Sequence, residues 1–240
     1  MLTCIIIPAR YYSTRLPQKP LLKIHGKPMI QYVYEQAKKV RGVSEILVAT
    51  DHPAIAETVE EFGGKAVITP QDLASGTDRV AFVAKNHPAE IFVNLQGDEP
   101  MMDSVAIERA VELVKNGKFS MASAAAPILN DETLNNPNVV KVLINERNQA
   151  IYFSRLPIPY SRLAPEKPYL PLHHLGLYVY TKKTLLKLTS LDPCPLEKAE
   201  SLEQLRALYH EIPIGIALVE KASQGIDTAQ DLEKVTQLIK

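Results

Sequence analysis

Three cations fall in one short segment near the start of the chain, Arg10, Arg15 and Lys19, within Pro8-Ala9-Arg10-Tyr11-Tyr12-Ser13-Thr14-Arg15-Leu16-Pro17-Gln18-Lys19-Pro20. A guanidinium grips oxygens in pairs and an ammonium acts as a point charge, so the set suits a chain of phosphates. Taken alone it also reads as three solvated surface cations. Two aspartates suggest a different chemistry. Asp98 lies in Asn94-Leu95-Gln96-Gly97-Asp98-Glu99-Pro100, directly after an apolar run. Magnesium takes one or two carboxylates in such a place and keeps substrate phosphates and waters, although a Gly-Asp turn alone also explains the residue. Asp227, in Gly225-Ile226-Asp227-Thr228, stands just ahead of a helical pattern, where the helix dipole would stabilise it in any case. Ala74-Ser75-Gly76-Thr77-Asp78-Arg79 is a small polar loop opening a helix. Its N–H groups and hydroxyls suit a base or ribose, or simply cap the helix.

Further along, Arg155 sits among apolar residues in Tyr152-Phe153-Ser154-Arg155-Leu156-Pro157, and a partly buried guanidinium wants an anion. His173-His174 has no further ligand at metal spacing and reads as ordinary hydrogen-bonded histidine. Glu197, Glu200 and Glu203 recur at helical spacing, most simply as a solvated acidic face. Neither a GxGxxG fingerprint nor a GxxxxGK[ST] loop occurs, which argues against a Rossmann dinucleotide site or a Walker loop.

Such residues need strands and helices to position them. Thr3 to Ile7, Glu45 to Thr50, Lys65 to Ile68, Glu90 to Leu95 and Ser120 to Ala125 are short apolar runs that predict buried strands. Between them run amphipathic helices. Pro28 opens one as a first-turn proline, with Ile30, Val33, Ala37 and Val40 on its apolar face. A second follows Pro53 and stops at Gly63-Gly64; a third is capped by Asp103. This β-α succession predicts a largely parallel sheet covered on both faces, with ligands beyond the strands' carboxyl ends. Later come a hairpin (Val139 to Ile144 with Ala150 to Phe153), a proline-rich stretch, a strand at Leu175 to Tyr180, helices at Thr181 to Leu188 and Leu196 to Tyr209, and a strand at Ile214 to Val219. The last helix opens with Thr228-Ala229-Gln230-Asp231, a capping box in which Asp replaces Glu. One domain over 1–240, with an inserted lobe at about 130–207, is the expected organisation.

Composition narrows the classes. The 240 residues carry 27 basic and 27 acidic side chains, so the net charge is zero and nothing in bulk attracts nucleic acid or an anionic membrane. Two cysteines, Cys4 and Cys194, exclude a disulfide framework and a CxxC site. No apolar run reaches the length of a membrane span, and the apolar opening lacks a basic n-region. A soluble, cytoplasmic protein is expected.

In family order from end to end, the motifs IIIPAR (5–10), STRLPQKPL (13–21), GKPMI (26–30), ATD (49–51), SGTDRV (75–80), NLQGDEP (94–100), NPNVVKV (136–142), YFSRLPIPY (152–160), HHLGLYVY (173–180), PLEKAESLEQLR (195–206) and GIDT (225–228) resemble those of the 3-deoxy-manno-octulosonate (Kdo) cytidylyltransferases. The resemblance covers the whole chain. It implies a Rossmann-like nucleotidyltransferase fold of the GT-A-like kind, with a mixed, mostly parallel sheet and a homodimer joined through the late lobe. It implies transfer of CMP from CTP to the anomeric hydroxyl of Kdo, with release of pyrophosphate, for lipopolysaccharide biosynthesis. Residue by residue, Arg10 and Lys19 match the grips on the CTP triphosphate, with Arg15 nearby. Ala9, Ser75 and Arg79 match the holders of cytosine and the adjoining phosphate, and Gln96 lies near ribose and sugar. Asp98 and Asp227 match the carboxylates for Mg²⁺, and Arg10, Lys19 and Asp98 the catalytic set. Arg155, His174, Tyr178, Glu200 and Gln204 line up with the sugar pocket. Departures are Gln18 in place of a glycine, Lys198 in place of a glutamine and Cys194 in place of a serine. Two alternatives stay open on the residues: a cytidylyltransferase for another acidic sugar such as neuraminate, and a non-catalytic nucleotide sensor. A GT-A glycosyltransferase would carry an Asp-x-Asp metal motif, which the fourth-strand turn lacks.

Overall fold

A computed structural model describes residues 1–12, 16–160, 162 and 169–239. The first apolar run forms β1 (Thr3–Ala9), buried along its whole length. A loop then leads to a 3-10 turn at Lys19–Leu21 and a small hairpin, β2 (Lys23–Ile24) and β3 (Lys27–Pro28). The chain alternates through α1 (Met29–Lys38), β4 (Glu45–Thr50), α2 (Pro53–Glu61), β5 (Ala66–Ile68), α3 (Gly76–Asn86), β6 (Ile91–Leu95), α4 (Ser104–Lys115) and β7 (Met121–Pro127). After α5 (Asp131–Asn135) come a hairpin, β8 (Lys141–Ile144) and β9 (Ala150–Ser154), and the long β10 (Leu172–Thr181). Then follow α6 (Lys182–Thr189), α7 (Pro195–Glu200), α8 (Gln204–Tyr209), β11 (Ile214–Leu218) and α9 (Ala229–Leu238).

Among the described residues, nine strands make one sheet. Its main path is β11-β7-β10-β6-β1-β4-β5, with β8 pairing β10 and β9 at its side. β1 runs parallel to β4 and β6, β4 to β5, and β7 to β11; β10 is antiparallel to β6, β7 and β8. The sheet is therefore mixed and mostly parallel, as the pattern predicts. Alternate side chains of β1 enter opposite layers. Ile5 and Ile7 pack with Ile30 and Val33 of α1 and Ile107 of α4, whereas Cys4 and Ile6 pack with Val80 and Ala84 of α3 and Leu185 of α6. Each fully buried aliphatic side chain in these layers contributes about 1.5–3 kcal/mol.

Three expectations change. Pro28 is the N-cap of α1 rather than its first-turn residue. The helix expected over Leu196 to Tyr209 is two helices, broken where Ser201 takes a left-handed conformation (φ 52). The stretch at about 130–207 is not set apart as a lobe: β10 fills the middle of the main sheet between β6 and β7, and α6 packs on α3. Only the β8–β9 hairpin with α7 and α8 stands to one side, so this region shares its core with the rest of the chain. The middle of the proline-rich stretch, 161 and 163–168, lies outside the described residues.

Parallel β1, β4, β5 and β6 bring their carboxyl ends to one edge, followed by residues 10–12, 51–52, 69–73 and 96–99. That edge carries the site.

Candidate active site

Where β1 ends, Pro8, Ala9 and Arg10 form one wall of a cavity of about 350 Å³, opposite Lys19, Gln96 and Asp98. Two glycines permit the walls to approach. A Cβ on Gly97 would stand 2.8 Å from the carbonyl oxygen of Pro8, and one on Gly76 would stand 3.3 Å from the Pro8 ring. Ser75 caps α3: its Oγ accepts from Asp78 N–H at 3.0 Å, while Asp78 accepts from Ser75 N–H at 2.9 Å, a reciprocal capping box. The helix start reaches the cavity at Gly76, which lines it. Arg10 donates to the carbonyl of Leu73 at 3.0 Å, which holds its guanidinium across the cavity mouth. Gln96 is steadied by a bond from its Nε2 to Asn94 Oδ1 at 3.0 Å.

The cavity floor holds the densest charge. Lys19 Nζ bridges Asp98 Oδ2 at 2.7 Å and Asp227 Oδ1 at 3.1 Å. These residues come from the 3-10 turn, the turn after β6 and the loop before α9, and backbone contacts fix them. Ile226 N–H donates to Asp98 O at 2.9 Å, and Asp227 N–H donates at 3.1 Å to Asp231, the acid of the α9 capping box. Glu99 lies between the glycines of two segments, since a Cβ on Gly176 or Gly225 would come 3.1 or 3.0 Å from its Oε1, and it accepts from Ser223 Oγ at 2.8 Å. Burial, followed by the charge of Asp98, pushes the Glu99 carboxyl up to about 8.

Beyond Asp98 the groove continues. A second cavity of about 320 Å³ runs past Glu99, Asn136, Asn138 and His173, and a third of about 490 Å³ is lined by Pro137, Arg155, Ser201 and Asp227. Asp98 borders the first and second, and Asp227 the second and third, so the carboxylate pair stands at the junction. In the far cavity Arg155 donates to the carbonyls of Glu200 at 2.7 Å, Pro137 at 3.0 Å and Ser201 at 3.2 Å. The Glu200 carboxylate accepts from Ser154 Oγ at 2.9 Å and Arg155 N–H at 3.0 Å. Behind them, wholly buried Lys141 donates to the carbonyls of Asn136, Val139 and Arg155.

Comparison with known proteins decides what this trough belongs to. A profile of the cytidylyltransferase family matches residues 4–217. The 3-deoxy-manno-octulosonate cytidylyltransferase of Chloroherpeton thalassium is 45% identical over 242 residues, covering 100% of this chain and 98% of its own. The chain belongs to the 3-deoxy-manno-octulosonate cytidylyltransferase family. The Escherichia coli relative of the same name is 44% identical, over 98% of this chain and 95% of its own. A solved CMP:2-keto-3-deoxy-manno-octonic acid synthetase complexed with CTP superposes with a TM-score of 0.93 at 44% identity, covering 100% of this chain and 98% of that one.

As a member of the Kdo cytidylyltransferase family, the chain gathers some of the residues predicted from sequence and separates others. Ala9, Arg10, Lys19, Gln96 and Asp98 line the first cavity, with Ser75 at its edge; Asp227 completes the junction. Arg15 lies outside the described residues. Arg79 does not reach the cavity. Fully buried, it donates to Asp51 at 3.3 Å, to Thr69 Oγ1 and to Pro70 O at 3.2 Å, and Asp51 in turn accepts from Tyr11 N–H at 3.0 Å. Its place is therefore behind the Arg10–Tyr11 loop rather than against a base.

The sugar-side residues divide likewise. Arg155 and Glu200 stand at the far cavity. Strand alternation sends His173 into the trough and His174 to the opposite face. There Ser123 Oγ donates to Leu177 O at 2.6 Å and lies 2.8 Å from His174 Nε2; burial takes the imidazole down to about 3, so it is neutral. Tyr178 and Gln204 line a void of about 10 Å³ beneath α8, together with Glu203. Sequence reasoning missed Glu99 and Lys141, and read His173 as an ordinary histidine and Glu203 as part of a solvated face. Glu203 Oε2 accepts from Thr77 Oγ1 at 3.0 Å and its Oε1 lies 3.1 Å from Ser75 Oγ, so it ties the α7–α8 break to the start of α3. Its helical spacing from Glu197 and Glu200 suggests a solvated face; the break at Ser201 turns it inward.

Proposed function

We propose that this chain transfers CMP from CTP to the anomeric hydroxyl of 3-deoxy-manno-octulosonate, giving CMP-Kdo and pyrophosphate for lipopolysaccharide biosynthesis. The observation that carries the reading is the Lys19–Asp98–Asp227 cluster at the junction of a cavity faced by Arg10 and one faced by Arg155. Relatives at 44–45% identity bear the name of this activity.

The triphosphate lies along the first cavity, with Arg10 and Lys19 on its oxygens and cytosine toward Ala9 and the Ser75–Gly76 helix start. The Kdo carboxylate faces Arg155. The anomeric hydroxyl then meets the α-phosphorus in line above Asp98, and pyrophosphate leaves toward Lys19. Such a transfer needs mainly positioning and charge stabilisation.

Mg²⁺ fits the junction. Two carboxylates from separate loops already converge on one cationic nitrogen. Magnesium takes one or two carboxylates and leaves the rest of its shell to phosphates and waters. Asp98 and Asp227 would hold it, and when bound it neutralises charge developing on the phosphates. With Mg²⁺ held by Asp98 and Asp227, Lys19 would be free to turn from the carboxylates to the phosphate chain. A homodimer is part of the reading: exposed Leu156 (70%), Tyr160 (89%) and Leu170 (50%) cluster in sequence on the late region and suit a partner surface. A cytoplasmic location follows from the use of CTP, and among the described residues no helix is long and apolar enough to cross a membrane. Pyrophosphate release with CTP, Mg²⁺ and Kdo, run beside neuraminate and beside UTP, tests the reading; release with neuraminate but not Kdo would overturn the sugar, and CTP binding without release would overturn the reaction.

A further inference from the structure

Lys141 has 0% of its surface exposed, yet no carboxylate among the described residues forms an ion pair with it. Its ammonium donates to Asn136 O at 3.0 Å, to Val139 O at 2.6 Å and to Arg155 O. An ammonium has only three N–H donors, so all of them go to neutral acceptors. Arg155 repeats the pattern one layer outward, with its side chain on the carbonyls of Pro137, Glu200 and Ser201. A guanidinium has five N–H donors, so hydrogens remain on its terminal nitrogens for a ligand. Glu200, the nearby acid, directs its carboxylate to Ser154 Oγ and the Arg155 backbone instead of to either cation's side chain.

Carbonyl dipoles satisfy hydrogen bonds but cancel no net charge. Two cations thus stand one behind the other in the wall of the 490 Å³ cavity. Burial, and then Arg155, pull the Lys141 ammonium below the ordinary lysine range, against a smaller upward pull from the charge of Glu200. Like charges so placed repel, and an anion in the cavity relieves them; in a dry wall the attraction across several ångströms is far stronger than in water.

We propose that Lys141 is a positioning residue for the substrate carboxylate, fixing the main chain at Arg155 and the 136–139 turn and adding a second positive charge behind the guanidinium that receives the acid. The proposal rests on the far cavity being the sugar site. Its consequence is specificity: the site selects an acidic sugar through two charges, only one of which touches it.

The test measures KM for Kdo and for CTP in wild type, Lys141→Met, Lys141→Gln and Arg155→Ala, with the uncharged C1 amide of Kdo as a competing ligand. Lys141→Met should raise the Kdo KM on the order of tenfold, while the CTP KM stays within about twofold and amide inhibition hardly changes. An unchanged Kdo KM, or an equal loss for acid and amide, would reduce Lys141 to a structural prop. Lys141→Gln keeps a donor for the carbonyls and carries the same test if the Met variant does not fold. If neither folds, wild type decides: a two-charge site prefers acid over amide by roughly a hundredfold or more, and a preference of about tenfold or less overturns the proposal. Arg155→Ala separates the failures. No effect on the Kdo KM there removes the sugar assignment itself, whereas an effect there and none in Lys141→Met removes only the role of Lys141.

Discussion

The nucleotide end and the sugar end of the trough satisfy most of their cations in different ways. At the nucleotide end Lys19 bridges Asp98 and Asp227, and behind the cavity Arg79 pairs with Asp51, while Arg10 alone rests on a carbonyl, that of Leu73. At the sugar end Arg155 and Lys141 rest on carbonyl oxygens. The first arrangement sets two carboxylates around one ammonium and suits a ligand that brings its own counter-ion. The second holds standing positive charge and suits a small anion arriving alone. One sheet edge thus presents two electrostatic designs, and the proposed reaction is set where they meet.

Substitutions that remove one partner from each design test this contrast. The largest effect is expected at Arg79, where Arg79→Met leaves Asp51 buried without its cation and should cost about 3–5 kcal/mol of stability, read from denaturant unfolding. Since Asp51 also accepts from Tyr11 N–H, the residual folded enzyme should bind CTP more weakly; a stable variant with normal CTP affinity would show that the pair supports nothing. Asp98→Asn keeps the shape of the junction but removes charge from it. Turnover should fall on the order of a hundredfold or more while CTP binding largely survives, and near-normal turnover would end the metal role. At the other end, Arg155→Ala should raise the Kdo KM roughly ten- to a hundredfold and leave the CTP KM unchanged. A rise in both constants would mean that the two ends are not electrostatically separate.

The contrast also explains what the sequence made legible. Arg10, Gln96 and Asp98 follow parallel strands within three positions and Lys19 follows within ten, so the apolar runs of β1 and β6 locate them before any tertiary contact is known. The sugar end depends on β10, whose apolar pattern announces a strand but not its antiparallel insertion between β6 and β7. That insertion decides that His173 faces the trough and His174 the core. The left-handed turn at Ser201 interrupts a helical pattern without a glycine or proline to mark it, and it redirects Glu203. Arg79 sits in a motif typical of a nucleotide loop, but its partner is 28 positions away on another strand end, a distance the local pattern does not span.

The last contrast is a difference in pH response between Glu99 at the junction and His174 in the core behind β10, measured as unfolding free energy in the metal-free protein. Glu99, at the junction, is pushed up to about 8 from an ordinary 4.5, so the folded state holds a proton that the unfolded chain releases. Stability from this group is full below 4.5 and declines as pH rises toward 8, by at most about 1.4 kcal/mol per pH unit. His174, in that core, is held down to about 3 from 6.5, so the unfolded chain binds the proton that the folded state refuses. Its contribution is full above 6.5 and is lost as pH falls toward 3. The two slopes have opposite signs and offset each other between pH 4.5 and 6.5: Glu99→Gln should remove the fall from 4.5 to 8, its alkaline slope included, and His174→Gln the rise from 3 to 6.5. If Glu99→Gln left the alkaline slope intact, the Glu99 carboxyl would already be ionised in the fold, and Asp98 and Asp227 would share their junction with a third negative charge.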